Sequence, residues 1–268
     1  MTTPSPNAQL LVEKSDGILT LTLSNPARRN ALHPDIYTTG ITALSAAATD
    51  PTLGAVILTG EGKDFCAGGN LNRLAASRKQ PPAVQRASLA GFHRWIQALR
   101  QCPKPVIAAI EGNAAGAGFS LALACDLIVA AENARFTMAY VKVGLSPDGG
   151  ASAHLAECLP RQLAHELLLL GNTIESQRLY TLGLICQITP PGKALAGAHT
   201  LAARLANGPR QAQQRIKRLL TNAATQNLEA QLETEADAFI DSLFGQEAEE
   251  GINAFLTKRP PDFRLKNR

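Results

Sequence analysis

The chain has 268 residues, is 45% hydrophobic and carries a formal charge of +4, which supports one large domain and excludes wholesale nucleic-acid binding. Cys66, Cys102, Cys125, Cys158 and Cys186 are widely spaced with no CxxC pair, so neither a disulfide framework nor a zinc site is expected, and a reducing cytoplasm fits. No membrane association is expected: "MTTPSPNAQ" lacks signal-peptide regions, and the most apolar run, "SLALACDLIVAA", is too short for a bilayer and contains Asp126.

In chain order, "ILTLTLS" alternates and predicts a strand, "NPARRNAL" a turn, and "DIYTTGITALSAAA" a helix with Asp35 near its start. "GAVILTG" is a short apolar strand, followed by the glycine-rich loop "DFCAGGN". A helix is predicted over 85–101, then the strand "PVIAAIEG", a second glycine-rich loop "GNAAGAG", the helix "FSLALAC" and the strand "DLIVAA". Short, fully apolar strands predict a sheet covered on both faces. From about Arg161 the pattern is mostly helical, through "RQLAHELLLLG", "IESQRLYTLG", "ALAGAHTLAARLA", "PRQAQQRIKRLLTNAA" and "EAQLETEADAFIDSLF". Apolar positions on these helices point to self-association. The chain ends on "KRPPDFRLKNR", with five Lys/Arg against one Asp, which by itself reads as a solvated tail.

Each glycine loop follows a buried strand. In "CAGGN" the amide of Gly69 is free to point outward, and in "AAGAG" the amide of Ala117 falls in the first turn of a helix, where N–H groups lack partners and the helix dipole is positive. Two such amides aimed at one point make an oxyanion hole. Each loop alone also reads as a close-packing device. Neither has the spacing of a P-loop or a dinucleotide site.

A lone acid stands in "KVGLSPDGGAS": Asp148, between a proline and two glycines. It reads either as the N-cap of a helix over "GASAHLAECL" or as a catalytic acid in an apolar pocket. His33, His154, His165 and His199 have no ligand spacing, and no metal site is expected. Ser120 has no G-x-S-x-G elbow, so a hydrolase triad is not indicated.

The ordered set "NPARRNAL", "FCAGGNL", "GNAAGAGFSLALACDL", "ARFTMAYVKVGLSPDGG" and "FLTKRPPDF" resembles the enoyl-CoA hydratase/isomerase (crotonase) superfamily over about Leu10 to Phe263. The resemblance implies an α/β fold, a ClpP-like spiral of β-β-α units over residues 1–200 that binds acyl-CoA, with a C-terminal helical oligomerisation region over 201–268 and assembly as a homotrimer or dimer of trimers. It implies no cofactor beyond the coenzyme A of the substrate. By motif, Gly69 and Ala117 hold the thioester oxygen, and Ala27, Arg28, Cys66, Ala67, Gly68, Asn70, Leu71 and Gly116 belong to the coenzyme-A and thioester site. Phe255 and Lys258 match positions that reach a neighbouring subunit's coenzyme A.

The family's hydratases carry two glutamates where this chain has Ser120 and Tyr140, so water addition by that route is not expected. Asp148 matches the acid of the family's double-bond isomerases, including the ring-opening isomerase of aerobic phenylacetate degradation. The arrangement also resembles the family's aryl-CoA dehalogenases, in which an aspartate attacks the ring. His93, twelve residues before Pro105, then matches the water-activating histidine, and Tyr140, eight before Asp148, the residue that orients the nucleophile. Acyl-CoA thioester hydrolysis and acyl-CoA binding without catalysis are the further alternatives.

Overall fold

The computed structural model describes residues 8–263; the N-terminal stretch read above as lacking a signal peptide lies largely outside them, as does the end of the basic tail beyond Phe263. The elements run β1 (Gln9–Ser15), β2 (Ile18–Ser24), a 3-10 turn (Pro26–Arg28), α1 (Pro34–Thr49), β3 (Ala55–Gly60), α2 (Leu71–Ser77), α3 (Pro82–Gln101), β4 (Val106–Ile110), β5 (Asn113–Ala115), α4 (Ala117–Leu123), β6 (Leu127–Ala131) and β7 (Arg135–Thr137). They continue with a second 3-10 turn (Ala139–Val143), α5 (Ala151–Cys158), α6 (Arg161–Leu170), β8 (Thr173–Glu175), α7 (Ser176–Thr181), β9 (Gln187–Thr189), α8 (Ala194–Ala206), α9 (Arg210–Ala223), α10 (Leu228–Leu243) and α11 (Gln246–Leu256). The fold is α/β, as expected.

The main sheet has the order β1-β2-β3-β4-β6-β9, antiparallel at β1–β2 and parallel from β2 onward. Strand alternation assigns side chains to two cores. Ala55 and Ile57 of β3, with Ile107 and Ala109 of β4, face α8. Val56 and Leu58, with Val106, Ala108 and Ile110, face the larger core that contains Phe92, Trp95 and Leu99 of α3. Both faces are covered, which is why these strands read as continuous apolar runs. β1 was not visible in the sequence: at the open edge of the sheet, most of its side chains are exposed and leave no apolar alternation.

Helix α8 crosses residue 200 and lies on the sheet through Ala194, Ala198, Ala202 and Ala206. The small side chains let it come close; a Cβ on Gly54 would sit 2.6 Å from the Ala206 Cα. Helices α9, α10 and α11 form the layer beyond and leave Ile216, Leu220, Phe239, Phe244 and Phe255 exposed. Among the described residues no helix is long and apolar enough to cross a membrane, and no three His, Cys, Asp or Glu gather as metal ligands.

A second sheet, ordered β5-β7-β8, carries the strand that leads into α4. Its Phe136 packs on Phe119 of α4 with ring centroids 5.0 Å apart. The turn over "NPARRNAL" is a 3-10 helix followed by left-handed Arg29 and Asn30. The Asn30 amide donates to the carbonyls of Glu61 and Asp64, and Asp64 Oδ1 accepts from the backbone and side-chain nitrogens of Asn113. The three loops nearest the site are thus fastened by side-chain amides.

Helix α9 is held to the core by one ion pair. Lys217 Nζ lies 2.7 Å from Asp126 Oδ2 and also donates to the carbonyls of Leu99 and Lys104; its side chain is 11% exposed and that of Asp126 29%. Lys217→Met leaves two carbonyls without this donor and the Asp126 carboxylate with the Val106 N–H but without its ion-pair partner. It should cost about 2–3 kcal/mol, near the low end for removing one partner of a buried pair, measured as a lower urea midpoint at unchanged slope.

Candidate active site

The two glycine loops meet. They are joined by a parallel bridge between Cys66 and Ala114, with Cys66 N donating to the Asn113 carbonyl and Ala115 N to the Cys66 carbonyl. A Cβ on Gly68 would collide with the Ala115 carbonyl oxygen and lie 3.2 Å from Ala117 N, and Gly68 has φ +87°. A Cβ on Gly118 would collide with the Cys66 carbonyl. Gly116 turns the chain from β5 into α4 at φ 50°, ψ −124°, a conformation suited to glycine.

The amides divide cleanly. Cys66 N donates to Asn113, Ala67 N to Arg29, Gly68 N to the Cys66 thiol at 3.4 Å, and Gly116 N to Thr137. Among the described residues, the N–H groups of Gly69 and Ala117 make no such bond. Ala117 opens α4 and Gly69 is exposed. The two amides singled out in the sequence are therefore both unpaired, on loops in direct contact. Cys66 serves the loop differently from its neighbours. It is fully buried, its thiol donates to the Asn30 carbonyl at 3.1 Å, and burial pushes its pKa up to about 12. With N–H, C=O and thiol all engaged inside the protein, Cys66 sets the shape of the loop.

Asp148 is half-buried and does not cap α5; Gly150 holds the N-cap position with no side-chain bond. The carboxylate instead accepts from the Tyr140 hydroxyl, with Oη 2.6 Å from Oδ1. Ser120 Oγ lies 3.1 Å from the same hydroxyl and 3.0 Å from the Asp148 carbonyl, and 3.3 Å from the Gly116 carbonyl. Burial raises the Asp148 pKa, while the Tyr140 hydrogen bond and the nearby His93 pull it back part of the way. The Tyr140 phenol is raised as well, first by burial and then by the Asp148 charge, so it stays protonated.

His93, on α3, is exposed, and its Nε2 accepts from Gly149 N at 3.4 Å. Gly149 fits only without a side chain: a Cβ there would lie 2.6 Å from Phe92 Cε1 and 2.9 Å from Ser120 Cβ. Asp148, Tyr140, Ser120 and His93 are therefore one cluster, held beside Gly116 by the Tyr140 ring.

The remaining sequence candidates are dispersed. Ala27 and Arg28 sit exposed on the 3-10 turn, and Asn70 caps α2 by accepting from Arg73 N, leaving Leu71 exposed. Phe255, 83% exposed, and Lys258 lie at the end of α11, which packs on α10. The sequence reading missed Tyr37 and Phe92. Tyr37 packs on Phe92 and Trp95 with centroids 5.5 and 6.0 Å apart, and its phenol feels the Asp148 charge. Their signal was only the apolar face of two helices, which the core explains equally well.

Parallel strands feeding two touching glycine loops, with free amides beside a buried acid, define a crotonase-type protein. The family model described as Enoyl-CoA hydratase/isomerase matches residues 13–266, and the chain belongs to that family. It is 37% identical to the 1,2-epoxyphenylacetyl-CoA isomerase of Escherichia coli (strain K12), over 94% of this chain and 96% of that one. It is 35% identical to the 2,3-dehydroadipyl-CoA hydratase of the same organism, over 96% and 99%. The crystal structure of an enoyl-CoA hydratase from Polaromonas sp. JS666 superposes with a TM-score of 0.93 at 51% identity, covering 96% of this chain and 100% of that one. The protein is an acyl-CoA-processing member of the family.

The loop contact is testable through stability. Gly68→Ala should cost about 1–3 kcal/mol, since the methyl group meets backbone that cannot yield. Gly69→Ala, whose Cβ would meet only Leu74 Cδ1 at 3.6 Å, should stay within about 0.5 kcal/mol. Equal urea midpoints for the two variants would mean that the loops do not pack against each other.

Proposed function

We propose that the protein is an enoyl-CoA isomerase in which Asp148 moves a proton along the acyl chain. The observation that carries this reading is the half-buried Asp148 carboxyl, raised by burial and bound to a single hydroxyl beside the two free amides. The thioester oxygen is received by the N–H groups of Gly69 and Ala117. Ionised Asp148 takes a proton from the carbon between the thioester and the double bond. The electrons move to the thioester oxygen, where the amides stabilise the dienolate. Protonated Asp148 then returns the proton at the far end of the conjugated system, and the double bond has shifted. One proton leaves and one returns, so the reaction needs no cofactor other than the coenzyme A of the substrate.

Hydration is disfavoured because Ser120 and Tyr140 hold hydroxyls where a water-activating carboxylate would stand, and both are engaged with Asp148. The coenzyme-A moiety is assigned to the Ala27–Arg28 turn and to Ala67, Gly68, Asn70, Leu71 and Gly116, with Cys66 acting only as the loop's support. The exposed apolar side chains of α9–α11 favour a homotrimer or dimer of trimers, in which Phe255 and Lys258 reach a neighbouring subunit's coenzyme A. Five free thiols fit a cytoplasmic protein.

One observation favours a second reading: His93 stands beside Asp148 across Gly149. That pair suits a carboxylate nucleophile and a water-activating base, as in aryl-CoA dehalogenation or thioester hydrolysis. The Asp148 environment argues against it, because a nucleophile must be ionised and burial favours the neutral acid. A 4-halobenzoyl-CoA quenched with the protein should give no ester on the Asp148 peptide by mass spectrometry; an adduct would establish the hydrolytic class. An acyl-CoA binder without catalysis would show thioester affinity and no turnover.

Two predictions follow from Asp148. With 3-enoyl-CoA, double-bond migration should outrun hydration of 2-enoyl-CoA, and Asp148→Asn should lower migration by about 10²–10⁴-fold. A carboxyl whose folded pKa is raised stabilises the fold when protonated and loses that contribution as pH rises through the folded pKa. Asp148→Asn should therefore be at least as stable as the parent at pH 8. Tyr140→Phe removes the hydroxyl that lowers the Asp148 pKa, so the acid limb of kcat/KM should move to higher pH; an unmoved limb would detach the limb from Asp148.

A further inference from the structure

Arg73 is a cation near this site with no counter-charge. It lies on α2, four residues after Gly69, and is half-buried. Its Nη2 donates to Ser88 Oγ on α3 at 3.1 Å, while its Nε is buried without a partner. None of the ion pairs among the described residues includes it. Gln85, one turn before Ser88, has its Oε1 buried and unpartnered too. A neutral amide there can take a hydrogen bond, but it cannot balance the charge. A partly desolvated guanidinium is costly until an anion joins it.

The position of that charge relative to the chemistry is given by α3: Ser88, which receives Arg73, lies one turn before Phe92, whose ring packs on Tyr37. Burial, its largest influence, pushes the Tyr37 phenol up to about 12. Tyr37 is therefore a protonated donor at any working pH, and its hydroxyl has no hydrogen-bond partner among the described residues. Its ring lies on Phe92, which touches the Gly149 position, and Leu74 lies against Gly69. The Arg73 cation and the Tyr37 O–H thus border the same apolar walls that flank the free amides.

We propose that the acyl group of the substrate carries a carboxylate at its far end, as in the monothioester of a dicarboxylic acid, and that the Arg73 guanidinium and the Tyr37 hydroxyl receive it. This rests on the acyl-CoA reading of the site, but on neither isomerisation nor hydrolysis. Charge-assisted bonds from a guanidinium to a carboxylate are among the stronger polar contacts, and they exclude a methyl end by leaving the cation unpaired.

The test is binding, with saturated thioesters that cannot react: adipoyl-CoA and hexanoyl-CoA titrated calorimetrically against the full chain. Adipoyl-CoA should bind about tenfold more tightly or better, a difference of about 1.4 kcal/mol. Arg73→Met should erase the difference while leaving hexanoyl-CoA affinity unchanged, Arg73→Lys should keep part of it, and Tyr37→Phe should reduce it. Equal affinities for the two thioesters in the parent would overturn the inference alone. Arg73→Met weakening both equally would also overturn it, by placing the arginine on the coenzyme-A moiety. Failure of both thioesters to bind would remove the acyl-CoA reading and this inference with it.

Discussion

Everything at the site depends on how closely two loops approach. The loop after β3 and the loop after β5 touch where a side chain at Gly68 would strike the Ala115 carbonyl and one at Gly118 the Cys66 carbonyl. Backbone that packs this tightly has little freedom, and its polar groups must be satisfied or be aimed at something. The amides of Cys66, Ala67, Gly68, Ala115 and Gly116 are satisfied by neighbouring carbonyls or by the Cys66 thiol, while those of Gly69 and Ala117 are not. The free pair is pre-oriented by the fold, and pre-orientation is what makes dipoles effective against a developing charge.

The sheet supports that approach from below. Its strands are buried on both faces, so their ends are fixed by packing and not by the loops they carry. Asp64, Asn30 and Asn113 then tie the turn after β2 to the two strand ends by side-chain bonds to backbone. A satisfied polar network in a crowded place gives one geometry, since any alternative leaves buried groups unpaired. The thiol of Cys66 belongs to this network, which explains a buried cysteine beside a candidate active site without invoking its reactivity.

Much of this was legible because the chain's strongest signals are local. Short apolar strands, glycines at strand ends and the isolated Asp148 can each be read in a few residues. The free amides of Gly69 and Ala117 were also inferable, because a strand–glycine–helix sequence says where N–H groups lack partners. Less could be read where a residue's meaning comes from a distant neighbour. His93 could be singled out only by its match to a histidine of the family's dehalogenases until α3 lays it against Gly149, and Tyr37 looks like core until its phenol is found to feel both Arg73 and Asp148. β1 escaped because an exposed edge strand has no apolar period, and β5, β7, β8 and β9 because three residues are too few to show one.

The same geometry also constrains which chemistry the site favours. Two carboxylates facing one position can bind a water between them, one accepting a proton while the other delivers one. Here the second carboxylate is absent, and the neighbours of Asp148 are hydroxyls that hand their hydrogen bonds to it: Tyr140 directly, and Ser120 to the Asp148 carbonyl. A phenol raised by burial stays protonated, so of the hydrogen-bonded Tyr140–Asp148 pair it is Asp148 whose protonation changes easily. A single acid can only return what it has taken. That favours a reaction in which the same proton leaves one carbon and arrives at another over one in which water must be split between two partners. His93, exposed across Gly149, is the imidazole of this cluster, so its contact with Gly149 is the feature on which the hydrolytic alternative stands.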